Sequence, residues 1–244
     1  MNRIIGIKFL VWIVTAPLWV RAWMSPTTTR FLLAKDSSSS SWLLAATRPM
    51  GAAPLSAFQG FDLGAIFSNK PTKLPKLLDK IAEERERLKT DLLTTCRQPK
   101  VKRALVEEKI AALAPLSPTQ NAAASPLLQK EWILIWTTEK EINFFLDFGI
   151  ASEVSQTING SELGNLIAFQ RGGCLSVSGT LSPSNDSTIR TEFKFDTATL
   201  DLAKWGTYEF PPVGEGWFDT IYLDETLRVD TNSRDDILIC TPRK

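Results

Sequence analysis

The chain has 244 residues, 43% of them hydrophobic, with 28 basic and 27 acidic side chains and no histidine. That length allows one domain with extensions or two small ones, and the missing imidazole removes the usual general base near neutral pH and the commonest metal ligand. Bases lead at the front, where Arg3, Lys8 and Arg21 meet no acid, whereas the stretch from residue 71 onward carries a small acidic excess and offers no basic surface to phosphates.

Met1 to Lys8 is short and basic, Phe9 to Val20 is almost unbroken apolar sequence, and Val20-Arg21-Ala22 has the residue types of a signal-peptidase site. Residues 1–22 therefore read as a signal peptide, too short in its apolar run to remain as a membrane span. From Trp23 the chain turns rich in Ser, Thr, Ala and Arg and poor in acids, including Ser37 to Ser41, which is the composition of a plastid transit peptide over residues 23–70. The aromatic at Ala22-Trp23 resembles the bipartite presequence of algae whose plastids are reached through the secretory pathway. Residues 1–70 are thus expected to be an address and to lie outside the fold.

Residues 71–126 read as a helical preface and loop. Leu74, Leu77, Leu78, Ile81, Leu88 and Leu92 recur at helical spacing, with Glu83 to Arg87 filling the positions between as a solvated charged face. A second helix is predicted from about Lys100 to Ala114, stopped by Pro115. From Glu131 the apolar period changes to two. Trp132, Leu134 and Trp136 form one row; Val154, Gln156 and Ile158 a second; Leu163, Asn165, Ile167 and Phe169 a third. Leu175, Val177, Gly179 and Leu181 follow, then Ile189, Thr191, Phe193 and Phe195, and a last pair of strands joined through Asn232 to Asp235. About eight short strands over residues 127–244 predict an antiparallel barrel, mainly β, preceded by two short helices. Residues Glu141 to Ile150 break the alternation with a dense apolar cluster, expected in the core rather than as an exposed membrane-docking patch.

Cys96, Cys174 and Cys240 are odd in number and lack a C-x-x-C spacing, so they read as reduced core thiols. Asp219, Asp224, Glu225 and Asp230 lack the spacing of a calcium loop, and Asp219 and Asp224 are assigned turn or hydrogen-bonding roles. Gly172-Gly173 and Gly214-Glu215-Gly216 match no nucleotide-binding pattern.

Two stretches carry more than periodicity. Trp132-Ile133-Leu134-Ile135-Trp136-Thr137-Thr138 resembles the W-x-L-x-Y-T-T opening strand of the plastid lipid-associated (PAP/fibrillin) family, and Gly216 to Arg228 resembles that family's closing G-W-D-Y-L-D-L-R block. Lys130 departs from the Gly usual two residues before the Trp, and Trp136 from the usual Tyr. The resemblance implies a lipocalin-like barrel that binds, stores or coats apolar plastid lipids such as carotenoids, quinones or acyl lipids at plastoglobules or thylakoid membranes, with no catalysis, cofactor, metal or nucleic acid. It also implies a Trp132–Arg228 contact closing one barrel end, with Trp217, Asp219, Tyr222 and Asp224 in structural roles. Strand parity nominates Leu134, Trp136, Ile167, Phe169, Val177 and Phe193 as ligand-facing. Two alternatives stay open: a lipocalin-type enzyme acting on a plastid lipid, with Asp219 and Tyr222 as its acid/base candidates, and a structural coat or adaptor whose barrel is filled.

Overall fold

Helix α1 (Leu74–Cys96) and helix α2 (Arg103–Leu113) form the preface in a computed structural model that describes residues 74–211 and 214–244; the segments read above as signal and transit peptides lie outside those residues. Val106, Ile110 and Leu113 share one face of α2 and are buried. They meet Leu92 and Cys96 of α1 and, on the barrel's outer wall, Tyr222, Val229 and Ile239. The stripe predicted along α1 packs only in its second half, since Leu92 is fully buried while Leu78 is 57% exposed. Pro115 lies in a 3-10 turn that ends α2, and a second 3-10 turn at Pro126–Leu128 is capped by Ser125, whose Oγ accepts the Leu127 N–H at 3.2 Å.

Nine strands follow: β1 (Glu131–Thr137), β2 (Ala151–Asn159), β3 (Glu162–Phe169), β4 (Cys174–Pro183), β5 (Arg190–Asp201), β6 (Thr207–Phe210), β7 (Glu215–Leu223), β8 (Arg228–Asn232) and β9 (Ile237–Pro242). Their order, β4-β3-β2-β1-β9-β8-β7-β5 with β4 also paired to β5, closes an eight-stranded antiparallel barrel. The ninth, β6, pairs only with the C-terminal half of β5 and stays outside the ring. Closure removes the unpaired edges that an open sheet would expose.

Register breaks at Leu134/Trp136, Ala151/Glu153, Ser178/Gly179 and Thr220/Tyr222 supply the bends a small barrel needs. At one of these Gly179 is required, because a side chain there would run into the Lys194 carbonyl across the strand pair. The β8–β9 hairpin closes with the Asp235 N–H on the Asn232 carbonyl at 2.9 Å, and the Asn232 Oδ1 accepts from the N–H groups of Arg234 and Asp236.

The apolar segment after β1 is not core. It folds as helix α3 (Lys140–Asp147), and none of its residues is buried. Phe145 reaches inward to stack on Phe169 of β3 at 6.2 Å, while Phe148 is 70% exposed. β1 and β2 are antiparallel neighbours, so the connection that carries this helix stays at one end of the barrel.

Candidate functional site

The strand pairings divide the residues into an inner and an outer set. Trp132 lies opposite Gln156, Gln156 opposite Asn165, Asn165 opposite Val177 and Val177 opposite Ala198, a chain of pairs that runs across four strands on the inner face. Phe193, Phe218 and Cys240 belong to the same interior cluster.

One end of this interior is shut. Trp132, Ile158, Leu163, Leu223 and Arg228 are all at most 2% exposed, and Leu128 of the 3-10 turn closes the end from below. The Trp132 indole N–H donates to the Leu128 carbonyl at 2.9 Å, tying that turn to β1. The Arg228 guanidinium lies between two rings, 5.1 Å from the centroid of Trp132 and 5.8 Å from that of Phe218. Its Nε is 2.9 Å from Asp230 Oδ2, and Thr220 donates to the other carboxylate oxygen at 2.8 Å. Burial raises the Asp230 carboxyl from its ordinary value against the pull of Arg228 and Thr220, and it pushes the Cys240 thiol up to about 12. Arg228 Nη2 donates to Gln156 Oε1 at 2.6 Å, and Gln156 Nε2 donates in turn to Asn165 Oδ1 at 2.9 Å.

The opposite end is open. Val154, Gln156, Asn165, Ile167, Phe169, Leu175 and Val177 face inward, yet each is only partly buried, whereas the inward residues at the shut end are sealed. Inner-face side chains flanked by paired strands reach solvent only through the barrel's mouth. The inner face thus has a sealed floor, a polar pair at mid-depth and, toward the other end, apolar side chains of β2 to β4 that are partly exposed while Ala198 and Leu200 of β5 stay buried. Around the mouth stand α3 and the Ala203–Trp205 turn with β6, where Leu146, Phe148, Ile150, Trp205 and Tyr208 are exposed.

Of the six positions nominated as ligand-facing, Leu134, Ile167, Phe169, Val177 and Phe193 line the interior. Trp136 does not. Leu134 pairs with the inward Cys240, but the register break at Ile135 pairs Trp136 with the outward Ile239, and its ring packs on the helix-side cluster. One extra residue in the strand reverses the parity that alternation assumes.

The Gly216 to Arg228 block resolves into separate duties. Trp217 and Asp219 are on the outer wall, where Arg190 lies 3.6 Å over the indole and makes two 2.8 Å contacts to the carboxylate. Tyr222 faces the helices and donates to Asp224 at 2.6 Å. Asp224 Oδ1 caps the β7–β8 turn by accepting the N–H groups of Thr226 and Leu227, and its Oδ2 meets Lys89 of α1 at 2.7 Å. These partners together hold the Asp224 carboxyl below its ordinary value against the opposing effect of burial. Asp219 and Tyr222 thus point away from the chamber, which removes both acid/base candidates of the enzyme alternative from any interior substrate. Lys130, the departure from the family's Gly, places its ammonium on the Glu225 carbonyl at 3.0 Å and near the Trp132 ring, bracing the floor from outside.

Gln156, Asn165, Asp230 and Lys89 went unnominated. A signal existed for the first two: each is the polar member in the middle of an otherwise apolar inward row. Among the described residues, no group of three or more acids or cysteines is placed to hold a metal, and no helix is long and apolar enough to cross a membrane. A surface cleft of about 630 Å³ between β4, β5 and β7 is lined by Thr180, Glu192, Lys194 and Trp217 and is separate from the mouth.

The family model described as PAP_fibrillin matches residues 76–213, which takes in both helices and the barrel through β6 but stops before the Gly216 block. The chain is 32% identical over 185 residues to the probable plastid-lipid-associated protein 11, chloroplastic, of Arabidopsis thaliana, covering 72% of this chain and 82% of that protein. No solved structure gives a significant match. A closed eight-stranded barrel, a matching family model and this relative lead to one assignment: the chain belongs to the PAP/fibrillin family of plastid lipid-associated proteins.

Proposed function

We propose that the chain carries one apolar plastid lipid in the upper chamber of its barrel and rests on a plastoglobule or thylakoid surface through the rim around the mouth. The observation that carries this reading is the gradient along the inner face, from floor residues at most 2% exposed to the partly exposed Val154, Ile167, Phe169, Leu175 and Val177 of β2 to β4. Water leaving that wall for a prenyl or acyl chain gains on the order of 25 cal/mol per Å² of apolar area. The exposed Phe148, Trp205 and Tyr208 supply the aromatic types that settle at a lipid interface. Transport, storage or protection follows from such binding without bond chemistry.

Saturable uptake of a polyene fatty acid, followed by its fluorescence gain, tests the reading. Val177→Asp places a charge on the chamber wall and is expected to weaken binding at least about tenfold, the cost of a poorly compensated buried charge. Ser176→Asp, one residue away on the outer face, is expected to leave binding unchanged. Non-saturable uptake that neither variant alters would replace the carrier with a surface coat. The address in residues 1–70 is proposed as well: a reporter fused to it should enter the plastid, and Trp23→Lys should divert it on the way.

A further inference from the structure

The polar spot at mid-depth has a direction, and chemistry alone fixes it. A guanidinium has donors and no acceptor, so Arg228 must face the oxygen of the Gln156 amide and not its nitrogen. The Gln156 nitrogen is then turned toward Asn165 and requires that residue's oxygen. The Asn165 Nδ2 is left over. It has no partner among the described residues, and it belongs to a half-open side chain on the chamber wall. Arg228 Nη1, fully enclosed, also lacks an acceptor, which marks the relay as rich in donors from end to end. Above the floor the inward residues of β2, β3 and β4 are otherwise apolar or glycine, so these three strands offer this donor no acceptor side chain.

We propose that the chamber selects lipids whose head is a hydrogen-bond acceptor without a donor, a carbonyl on an apolar chain, because the Arg228–Gln156–Asn165 relay presents an N–H to it. This inference rests on reading the chamber as a lipid site and adds the class of head that the site prefers. A pure hydrocarbon leaves the Asn165 N–H unpaired in a dry site. A hydroxyl head can accept the bond through its oxygen, but its own O–H then finds no acceptor side chain on these strands. A quinone or an ester accepts the bond with its carbonyl and gives its tail to Ile167, Leu175 and Val177.

The test measures equilibrium binding of the full chain to four probes delivered from the same detergent micelles: decylbenzoquinone, its reduced hydroquinone, a methyl ester of a fatty acid, and decylbenzene. The quinone and the ester are expected to bind about five- to tenfold more tightly than decylbenzene, the worth of one net hydrogen bond. The tighter of the two identifies the carbonyl source. Asn165→Asp keeps the shape but turns the chamber face of the relay into an acceptor, and it should reverse the order so that hydroquinone binds better than quinone. Thermal unfolding checks that the variant is folded; if it is not, the comparison among probes on the unaltered chain still decides. Equal affinity for quinone, ester and decylbenzene overturns the head-group inference and leaves the apolar chamber standing. Saturable binding of none of the four overturns both.

Discussion

The two ends of the barrel are built from the same strands and do opposite things. At the floor Trp132, Ile158, Leu163, Leu223 and Arg228 are sealed, and the Arg228 guanidinium has a carboxylate, an amide and two aromatic rings around it. Toward the mouth the inner side chains of β2 to β4 are mainly apolar and partly exposed, with exposed aromatics nearby, while Thr137, Ala198 and Leu200 are buried. Packing energy is thus concentrated where no ligand can enter, and the open end is left undersaturated with contacts. A barrel of eight strands has room for little more than its own side chains, so a chamber at one end requires that the other end be filled. Binding proteins commonly draw their mobile, ligand-facing parts from the least stabilised part of the fold, and the division here follows that rule.

The sharpest way to break the comparison is at the floor. Arg228→Ala removes a guanidinium that is 1% exposed and leaves Asp230, 2% exposed, with only Thr220 as partner. Stripping one member from a buried pair costs about 3–5 kcal/mol, most of it the penalty of the abandoned charge. The urea midpoint should fall accordingly. Replacing both residues together by Met and Leu should recover much of that loss, since an apolar pair of similar volume strands no charge. An unchanged midpoint for the single variant would mean that the floor is not where stability is held.

The helical brace comes next. Leu92→Ala empties a fully buried site between α1 and the outer wall and is expected to cost about 2–5 kcal/mol. Leu78→Ala, on the same predicted stripe but 57% exposed, should stay within about 0.5 kcal/mol. Similar costs at both positions would show that the whole of α1 packs on the barrel in solution.

A smaller effect joins brace to floor through pH. Asp224, bonded to Lys89, Tyr222 and the turn N–H groups, has a carboxyl held below its ordinary value of 3.8. A depressed folded pKa adds stability that is fully present above the unfolded value and is lost as pH falls through the folded one. Stability should therefore decline as pH drops below about 4. Asp230, whose carboxyl is raised by burial, works with the opposite sign between its ordinary value and its raised one. Comparing unfolding midpoints of the unaltered chain and Asp224→Asn from pH 6 downward isolates the first contribution, which should shrink in the variant. Parallel pH profiles would detach Asp224 from the acid limb.

Much of this division was legible in the sequence, and the exceptions have local causes. Inward rows such as Leu163-Asn165-Ile167-Phe169 run along uninterrupted strand, so parity read from either end gives the same face. Trp136 failed that reading because a bulge adds a residue between it and Leu134, and alternation carries no mark of a bulge. The Glu141 to Ile150 segment was read as core from its apolar density; density does not say whether neighbours exist to cover it, and at a barrel mouth they do not. Asp230 was visible only as an acid, since its partnership with Arg228 depends on both being inward at period two on β8. In Gln156 and Asn165 the polar break of two apolar rows was on the page, but only cross-strand register turns two isolated amides into a relay.

The mouth gives the smallest effect on stability and the clearest separation from the floor. Phe148 and Trp205 are 70% and 71% exposed, so replacing both by Ser removes little contact within the protein and should move the unfolding midpoint by no more than about 0.5 kcal/mol per site. Their loss should instead show on a lipid surface. Each buries a large apolar ring when the rim settles into an interface, a gain of roughly 2 kcal/mol or more for a fully covered ring. The neighbouring charges Lys140, Asp147, Arg171 and Lys204 are of both signs, so the contact should owe little to anionic headgroups and be nearly insensitive to salt. Co-flotation with neutral galactolipid vesicles, at low and at high ionic strength, measures both points. The double variant should float at least about tenfold less than the unaltered chain at either salt concentration. If it floats equally well, the aromatics at the mouth are not the surface by which this chain meets lipid, and the exposed N-terminal half of α1 becomes the next place to cut.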